Sequence, residues 1–227
     1  AWETPSRLKQ LVATLRERGL YEKCVQVVVR AVTEEEVYTT HDREYLQMLY
    51  QRVAEVAAAS VQGVGPIVYL DACKDTYLCR SSMEPVLLAA GGCIELALRV
   101  ASRELKNGFA ALRPPGHHAH CNVAEGFCLL NNVAVAANVV RGRLPGVQRI
   151  AIVDFDVHHG NGTQALFEHD PNTLFFSVHR FEENFYPQTG DFCEVGQGPG
   201  VGTTVNVPLP IYMGDDQYLE VFDKLLL

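Results

Sequence analysis

Arg149-Ile150-Ala151-Ile152-Val153-Asp154-Phe155-Asp156-Val157-His158-His159-Gly160 joins an apolar run to two carboxylates, two imidazoles and a glycine. Such a run reads as a buried strand, and buried strands do not end in four polar groups without a use for them. Along an extended chain, side chains at i, i+2 and i+4 share a face, so Asp154, Asp156 and His158 are expected together at the strand's end. A carboxylate beside an imidazole suits a catalytic zinc ion, given a third ligand from elsewhere. Asp156 and His158 are the candidate ligands. Asp154, one step deeper, suits a supporting group or a ligand to another cation. His159 faces the other way and reads as structural.

Working outward, apolar residues at helical spacing predict helices over Ser6–Arg18 (stopped by Gly19), Asp42–Ala59, Pro85–Leu105 and Leu129–Arg141. In the third of these, Ala89, Ala90, Gly91 and Gly92 permit close packing. Strands are expected at Pro66–Leu70, Gly108–Leu112, Ile150–Phe155, Leu174–Val178 and Thr203–Pro208, with a short helix near Gly162–His169 and an amphipathic one over Asp215–Leu227. Strands alternating with helices predict an α/β fold with a mainly parallel sheet flanked by helices and right-handed crossovers. Sites in such sheets collect at the carboxyl ends of strands. No repeat, low-complexity tract or linker interrupts the 227 residues, so a single domain is expected.

Apolar residues make up 48% of the chain and charged residues 20%, as in soluble globular proteins. A net charge of −8 argues against direct nucleic-acid binding and is compatible with lysine-rich partners. Seven cysteines without a C-x-x-C pair read as free thiols in a reducing compartment. No apolar run reaches the roughly 18 residues of a membrane span, and no signal-peptide pattern opens the chain. The expectation is a soluble protein of nucleus and/or cytoplasm.

Five of the eight histidines fall in two groups: His117, His118 and His120, then His158 and His159. In the first, Arg113-Pro114-Pro115-Gly116 cannot continue regular structure and forms a rigid turn that presents His117 and His118. An imidazole can take a proton from water at neutral pH. Two adjacent histidines are not both charged cheaply, so one serves as base while the other tunes its charge. Asp154 and Asn161 are the natural acceptors for their Nδ1–H groups. Between the groups, Glu125-Gly126-Phe127-Cys128 offers close backbone approach and a flat apolar wall, although a core aromatic would look the same.

Arg113-Pro114-Pro115-Gly116-His117-His118-Ala119, then Gly126-Phe127-Cys128-Leu129-Leu130-Asn131-Asn132, then Asp154-Phe155-Asp156-Val157-His158-His159-Gly160-Asn161-Gly162-Thr163 resemble the zinc-dependent histone deacetylases, in the family's order and spacing. Ser177-Val178-His179-Arg180 and Asn184-Phe185-Tyr186-Pro187-Gln188-Thr189-Gly190-Asp191 extend the match. The R-P-P-G-H-H-A form and Asn161 look like class II. The resemblance implies an arginase/deacetylase-like fold, a catalytic domain spanning residues 1–227, and zinc-dependent hydrolysis of N-ε-acetyl-lysine in histone tails or other proteins. It makes Asp156 and His158 zinc ligands, His118 the general base and acid, and His117 its electrostatic partner. Asp154 would orient His117, and Asn161 would orient His118. Gly126 would lie along the substrate, with Phe127 and Tyr186 walling its tunnel. Potassium would be held at Asp154, Asp156, His158, Ser177 and Val178, and a second potassium at Phe167, Asp170, Thr173 and Thr203. A corepressor complex is an implied partner.

Tyr186 stands where the family usually has phenylalanine, and Gln188 where it usually has glycine. The family's third zinc ligand, an aspartate, and its oxyanion donor, usually a tyrosine, fall after Leu227 in the resemblance. The chain also ends at Leu225-Leu226-Leu227 without a helix stop signal and begins at Ala1-Trp2-Glu3-Thr4 without methionine, so a part of a longer protein is expected. Alternative readings are an amidohydrolase of the same fold acting on acetylated polyamines or other amides, a two-metal ureohydrolase, or an inactive acyl-lysine-binding corepressor scaffold.

Overall fold

In the computed structural model, which describes residues 3–59, 66–71 and 74–226, the chain divides into two units, residues 1–146 and 147–227. Ala1, Trp2 and Leu227, at the ends on which the expectation of a longer protein rests, lie outside the described residues.

The first unit is mainly helical: α1 (Pro5–Glu17), α2 (Glu34–Val37), α3 (Arg43–Ala59), α4 (Met83–Ala101) and α5 (Asn132–Arg143). Gly19, at φ +61°, ends α1 as its position suggested. The α4 helix stops at Ala101 rather than Leu105, because Arg103 takes a left-handed backbone at φ +64°. The α5 helix starts at Asn132 rather than Leu129, because the Asn131 side chain caps it, accepting from the Ala134 N–H at 3.1 Å. Residues around most of α5 are buried, and its Val135, Ala136 and Val139 share a core with Leu46, Leu49, Val86, Ala90 and Ile94.

The α2 turn is absent from the sequence reading. Four residues are too short to show a period, but Thr33 and Glu36 form a capping box at its start. Glu36 also takes a two-pronged hydrogen bond from Arg30, at 2.7 and 2.6 Å, and another from Arg143 at 2.6 Å. Burial alone would raise the Glu36 carboxyl. The Arg30 guanidinium, the Thr33 N–H and Arg143 outweigh it and hold the group at about 2.

Pro66–Leu70 contributes β1 (Val68–Tyr69), which pairs antiparallel with an unanticipated β2 (Tyr77–Leu78). Gly108–Leu112 forms no strand. Its backbone finds no ladder partner among the described residues, Gly108 lies against Leu96 and Phe109 is exposed.

The second unit is built on a three-stranded parallel sheet in the order β3 (Ile150–Asp154), β4 (Thr173–Arg180), β5 (Thr204–Leu209), with α6 (Asn161–Phe167) in the first crossover. A parallel sheet was expected, but its burial falls differently. Central β4 carries a run of buried residues from Phe175 to His179, whereas β3 lies at an edge and exposes Ala151. The α7 helix (Asp215–Val221) runs into a π-helical turn, Phe222–Leu226, and neither buries a residue. Among the described residues, no helix is long and apolar enough to cross a membrane.

Small residues in α4 admit the extended segment before α2, as expected. Val32 N–H donates to Leu87 O at 2.9 Å, and a Cβ on Gly91 would fall 2.0 Å from Arg30 O and 2.8 Å from Val32 N. Gly91→Ala gains about 1 kcal/mol of helix propensity but drives a methyl group into backbone. A net loss of about 2 kcal/mol or more is expected in denaturant unfolding.

Candidate active site

In the first unit, His117 and His118 occupy a turn closed by the Ala119 N–H donating to Gly116 O. Their ring centroids are 3.9 Å apart at an interplanar angle of 42°; His118 is 3% exposed and His117 half-buried. The turn is anchored to the start of α5. Asn131 Nδ2 donates to Ala119 O (3.3 Å) and Asn132 Nδ2 to Pro114 O (3.1 Å). A Cβ on Gly116 would sit 2.6 Å from Asn132 N, so this close approach requires glycine.

His41, which no motif in the sequence singles out, completes the support. Its Nε2 accepts from the Asn131 N–H at 2.9 Å, so its Nδ1 carries the proton and donates to Cys121 O at 3.3 Å. Burial pushes His41 down to about 4, partly opposed by the carbonyls of Cys121 and His120. A threonine-rich stretch ahead of α3 gave no periodicity to expose this residue.

Gly126 is buried and Phe127 half-buried, in a two-residue turn at φ +57° and +67° with the Cys128 N–H bonded to Glu125 O at 2.9 Å. The left-handed backbone costs Phe127 about 1–2 kcal/mol.

In the second unit, β3 ends at Asp154, opposite Ser177 of β4. Asp156 and His158 therefore do not lie on a strand face, and strand alternation is not what brings them together. Side-chain to backbone bonds do so. Asp154 Oδ1 accepts from the Asp156 N–H (3.1 Å), and Asp156 Oδ1 accepts from the His158 N–H (2.9 Å). The Arg180 N–H donates to Val157 O at 2.9 Å, tying this loop to the end of β4. Asp156 Oδ1 and His158 Nδ1 end 3.1 Å apart. The His158 ring stacks on Phe185 (5.0 Å, 2°) and meets the edge of Tyr186 (6.1 Å, 68°), and the Arg180 guanidinium lies 4.2 Å over Phe185.

Two donors bound to one tetrahedral zinc lie about 3.4 Å apart, so the Asp156–His158 pair fits two adjacent corners of such a site. Among the described residues, no group of three or more His, Cys, Asp or Glu converges to hold a metal. A catalytic zinc takes three ligands from protein, and this pair would account for two of them.

His159 is fully buried. Thr189 Oγ1 lies 2.8 Å from its Nδ1, and its Nε2 donates to Gln164 Oε1 at 3.0 Å, the Gln164 amide being oriented by donation to Glu194. Beside it at 4.7 Å, His179 lies between Ser177 Oγ (2.9 Å) and Gly190 O (2.9 Å). Burial, then the neighbouring His179, push His159 down to about 4. Of the residues matched to potassium, Ser177 and Val178 are buried on β4. The second set is contiguous. Asp170 N–H donates to Phe167 O (2.8 Å), and Asp170 O accepts from the Thr173 N–H (3.4 Å) and Thr203 Oγ1 (3.2 Å). Asn161 opens α6.

The model of the histone deacetylase domain matches residues 1–227. The chain belongs to the histone deacetylase family. It is 40% identical over 228 residues to histone deacetylase 15 of Arabidopsis thaliana, covering 99% of this chain and 39% of that protein. It is 39% identical over 233 residues to polyamine deacetylase HDAC10 of Danio rerio, covering 99% and 33%. The crystal structure of the HDA15 HD domain matches 99% of this chain, and 62% of its own, at TM-score 0.90 and 39% identity. The fold is that of the arginase/deacetylase proteins.

His41 has a folded pKa of about 4 against 6.5 unfolded, so its stability contribution is present above pH 6.5 and is lost as pH falls through about 4. Replacing it with Gln should flatten that part of the unfolding profile. Gln188 sits at φ +67°. Gln188→Gly should stabilise by about 0.5–1 kcal/mol in thermal unfolding, the relief of strain exceeding glycine's entropy cost.

Proposed function

We propose that this chain forms the metal- and acyl-lysine-binding part of a zinc-dependent lysine deacetylase, hydrolysing N-ε-acetyl-lysine in histones or other proteins to lysine and acetate. The observation that carries the reading is the 3.1 Å pairing of Asp156 Oδ1 with His158 Nδ1 in the loop leaving β3. The close His117–His118 ring pair, the family membership and the crystallographic neighbour support it. The chain spans about two fifths or less of the curated relatives named above.

Asp156 and His158 would hold the zinc ion, which when bound would supply Lewis-acid chemistry to the amide carbonyl and a water molecule. His118, nearly excluded from solvent, takes the proton from the attacking water and returns it to the departing lysine amine. His117 tunes that basicity from ring-contact distance. In this reading Asp154 and Asn161 orient the two histidines, Gly126 lies along the acyl-lysine, and Phe127 and Tyr186 wall its tunnel. Phe185, stacked on the His158 ring, limits the orientations of that ligand. Potassium at Asp154, Asp156, His158, Ser177 and Val178, and a second at Phe167, Asp170, Thr173 and Thr203, complete the proposed cation sites. Residence in nucleus or cytoplasm and assembly with corepressors belong to the same reading.

The 39% identity to the Danio rerio polyamine deacetylase favours a second reading, in which the amide belongs to an acetylated polyamine. Competing an acetyl-lysine peptide against N-acetylspermidine in one assay separates the two by the ratio of kcat/KM.

In the intact protein, His118→Ala should lower kcat about a hundredfold or more while zinc content is unchanged, because a base is not a ligand. Asp156→Ala should instead lose zinc, as read by elemental analysis. Wild-type turnover in the His118 variant would overturn its role.

A further inference from the structure

The Gly126–Phe127 turn is held by a residue outside every motif of the sequence. Gly126 adopts its left-handed backbone freely, but Phe127 does not, and the next turn residue, Cys128, closes the pair through Glu125 O. The Phe127 N–H donates to Thr76 Oγ1 at 2.9 Å, across 51 positions of sequence. Thr76 is 1% exposed, and its hydroxyl donates onward to Asp75 Oδ1 at 3.1 Å. Its backbone is pinned as well. The Thr76 N–H donates to Asp71 Oδ2 (3.1 Å), and Thr76 O accepts from the Leu70 N–H (2.9 Å). One buried hydroxyl thus accepts from Phe127 and donates to Asp75. A β-branched threonine has few rotamers, so the oxygen is preset for both.

We infer that Thr76 is a positioning residue, fixing the backbone of Phe127 and with it the ring that faces the acyl-lysine. The role of Phe127 rests on the proposed deacetylase reading; the hold of Thr76 on it does not. Valine at position 76 keeps the shape and removes the hydroxyl, leaving the Phe127 N–H without its acceptor. Serine keeps the hydroxyl.

The test compares wild type, Thr76→Val and Thr76→Ser by hydrogen exchange at the Phe127 amide, by the Kd of a fluorescent N-ε-acetyl-lysine peptide, and by turnover. In wild type the Phe127 amide should exchange slowly. In the valine variant it should exchange faster and the Kd should rise about tenfold, and serine should restore both. In a Phe127→Ala background, Thr76→Val should add no further loss of affinity, which a merely structural role would not produce. Fast exchange at Phe127 in wild type overturns the inference even if the valine variant fails to fold. A valine variant with unchanged exchange, or with a Kd within about twofold of wild type, overturns it too. A wild type that binds the peptide without hydrolysing it overturns the proposed reaction and leaves Thr76 to be judged on the Kd. One that neither binds nor hydrolyses overturns the proposed reaction and the acyl-lysine role of Phe127, and the hold of Thr76 is then judged on the exchange alone.

Discussion

Where β3 leaves the sheet, two carboxylates take over from the ladder. Asp154 Oδ1 receives the Asp156 N–H and Asp156 Oδ1 receives the His158 N–H, so the chain turns without leaving these amides unpaired. The same Asp156 oxygen ends within 3.1 Å of His158 Nδ1. Structure and proposed chemistry therefore draw on one atom. The position of that loop rests on the parallel register of β3 and β4, Asp154 opposite Ser177, and on the bond from Arg180 to Val157. Beneath it, His159 and His179 sit buried between Thr189, Gln164, Ser177 and Gly190, as neutral rings that tie β4 to the segment after it.

The first unit solves a comparable problem without a strand. The His117–His118 turn hangs on the N-terminus of α5, where Asn131 caps the helix, reaches Ala119, and gives its own N–H to His41. Each of these bonds is buried, where an unmade hydrogen bond costs more than a made one gains. A buried imidazole used as acceptor is sound only while neutral, and burial keeps His41 neutral.

The parallel sheet, the helices near the expected positions and the two histidine clusters were legible because hydrophobic period and dense motifs are local signals. The Asp156–His158 pairing was legible for the wrong physical reason: the strand stops at Asp154, and side-chain acceptors rather than strand alternation join the two. Gly108–Leu112 looked like a strand because a sequence shows propensity and not the partner that a ladder needs. The α2 turn was too short to show a period. His41 and Thr76 are single polar residues bonded to the Asn131 and Phe127 amides, 90 and 51 positions away, and nothing local marks such contacts.

In the proposed site the carboxylate and imidazole beyond β3 hold a catalytic zinc. Anomalous diffraction at the zinc edge from crystals of the intact, zinc-loaded protein tests it most directly. One strong peak is expected about 2.0–2.2 Å from both Asp156 Oδ1 and His158 Nδ1. A peak bound elsewhere, or none at that pair in zinc-saturated crystals, would contradict it.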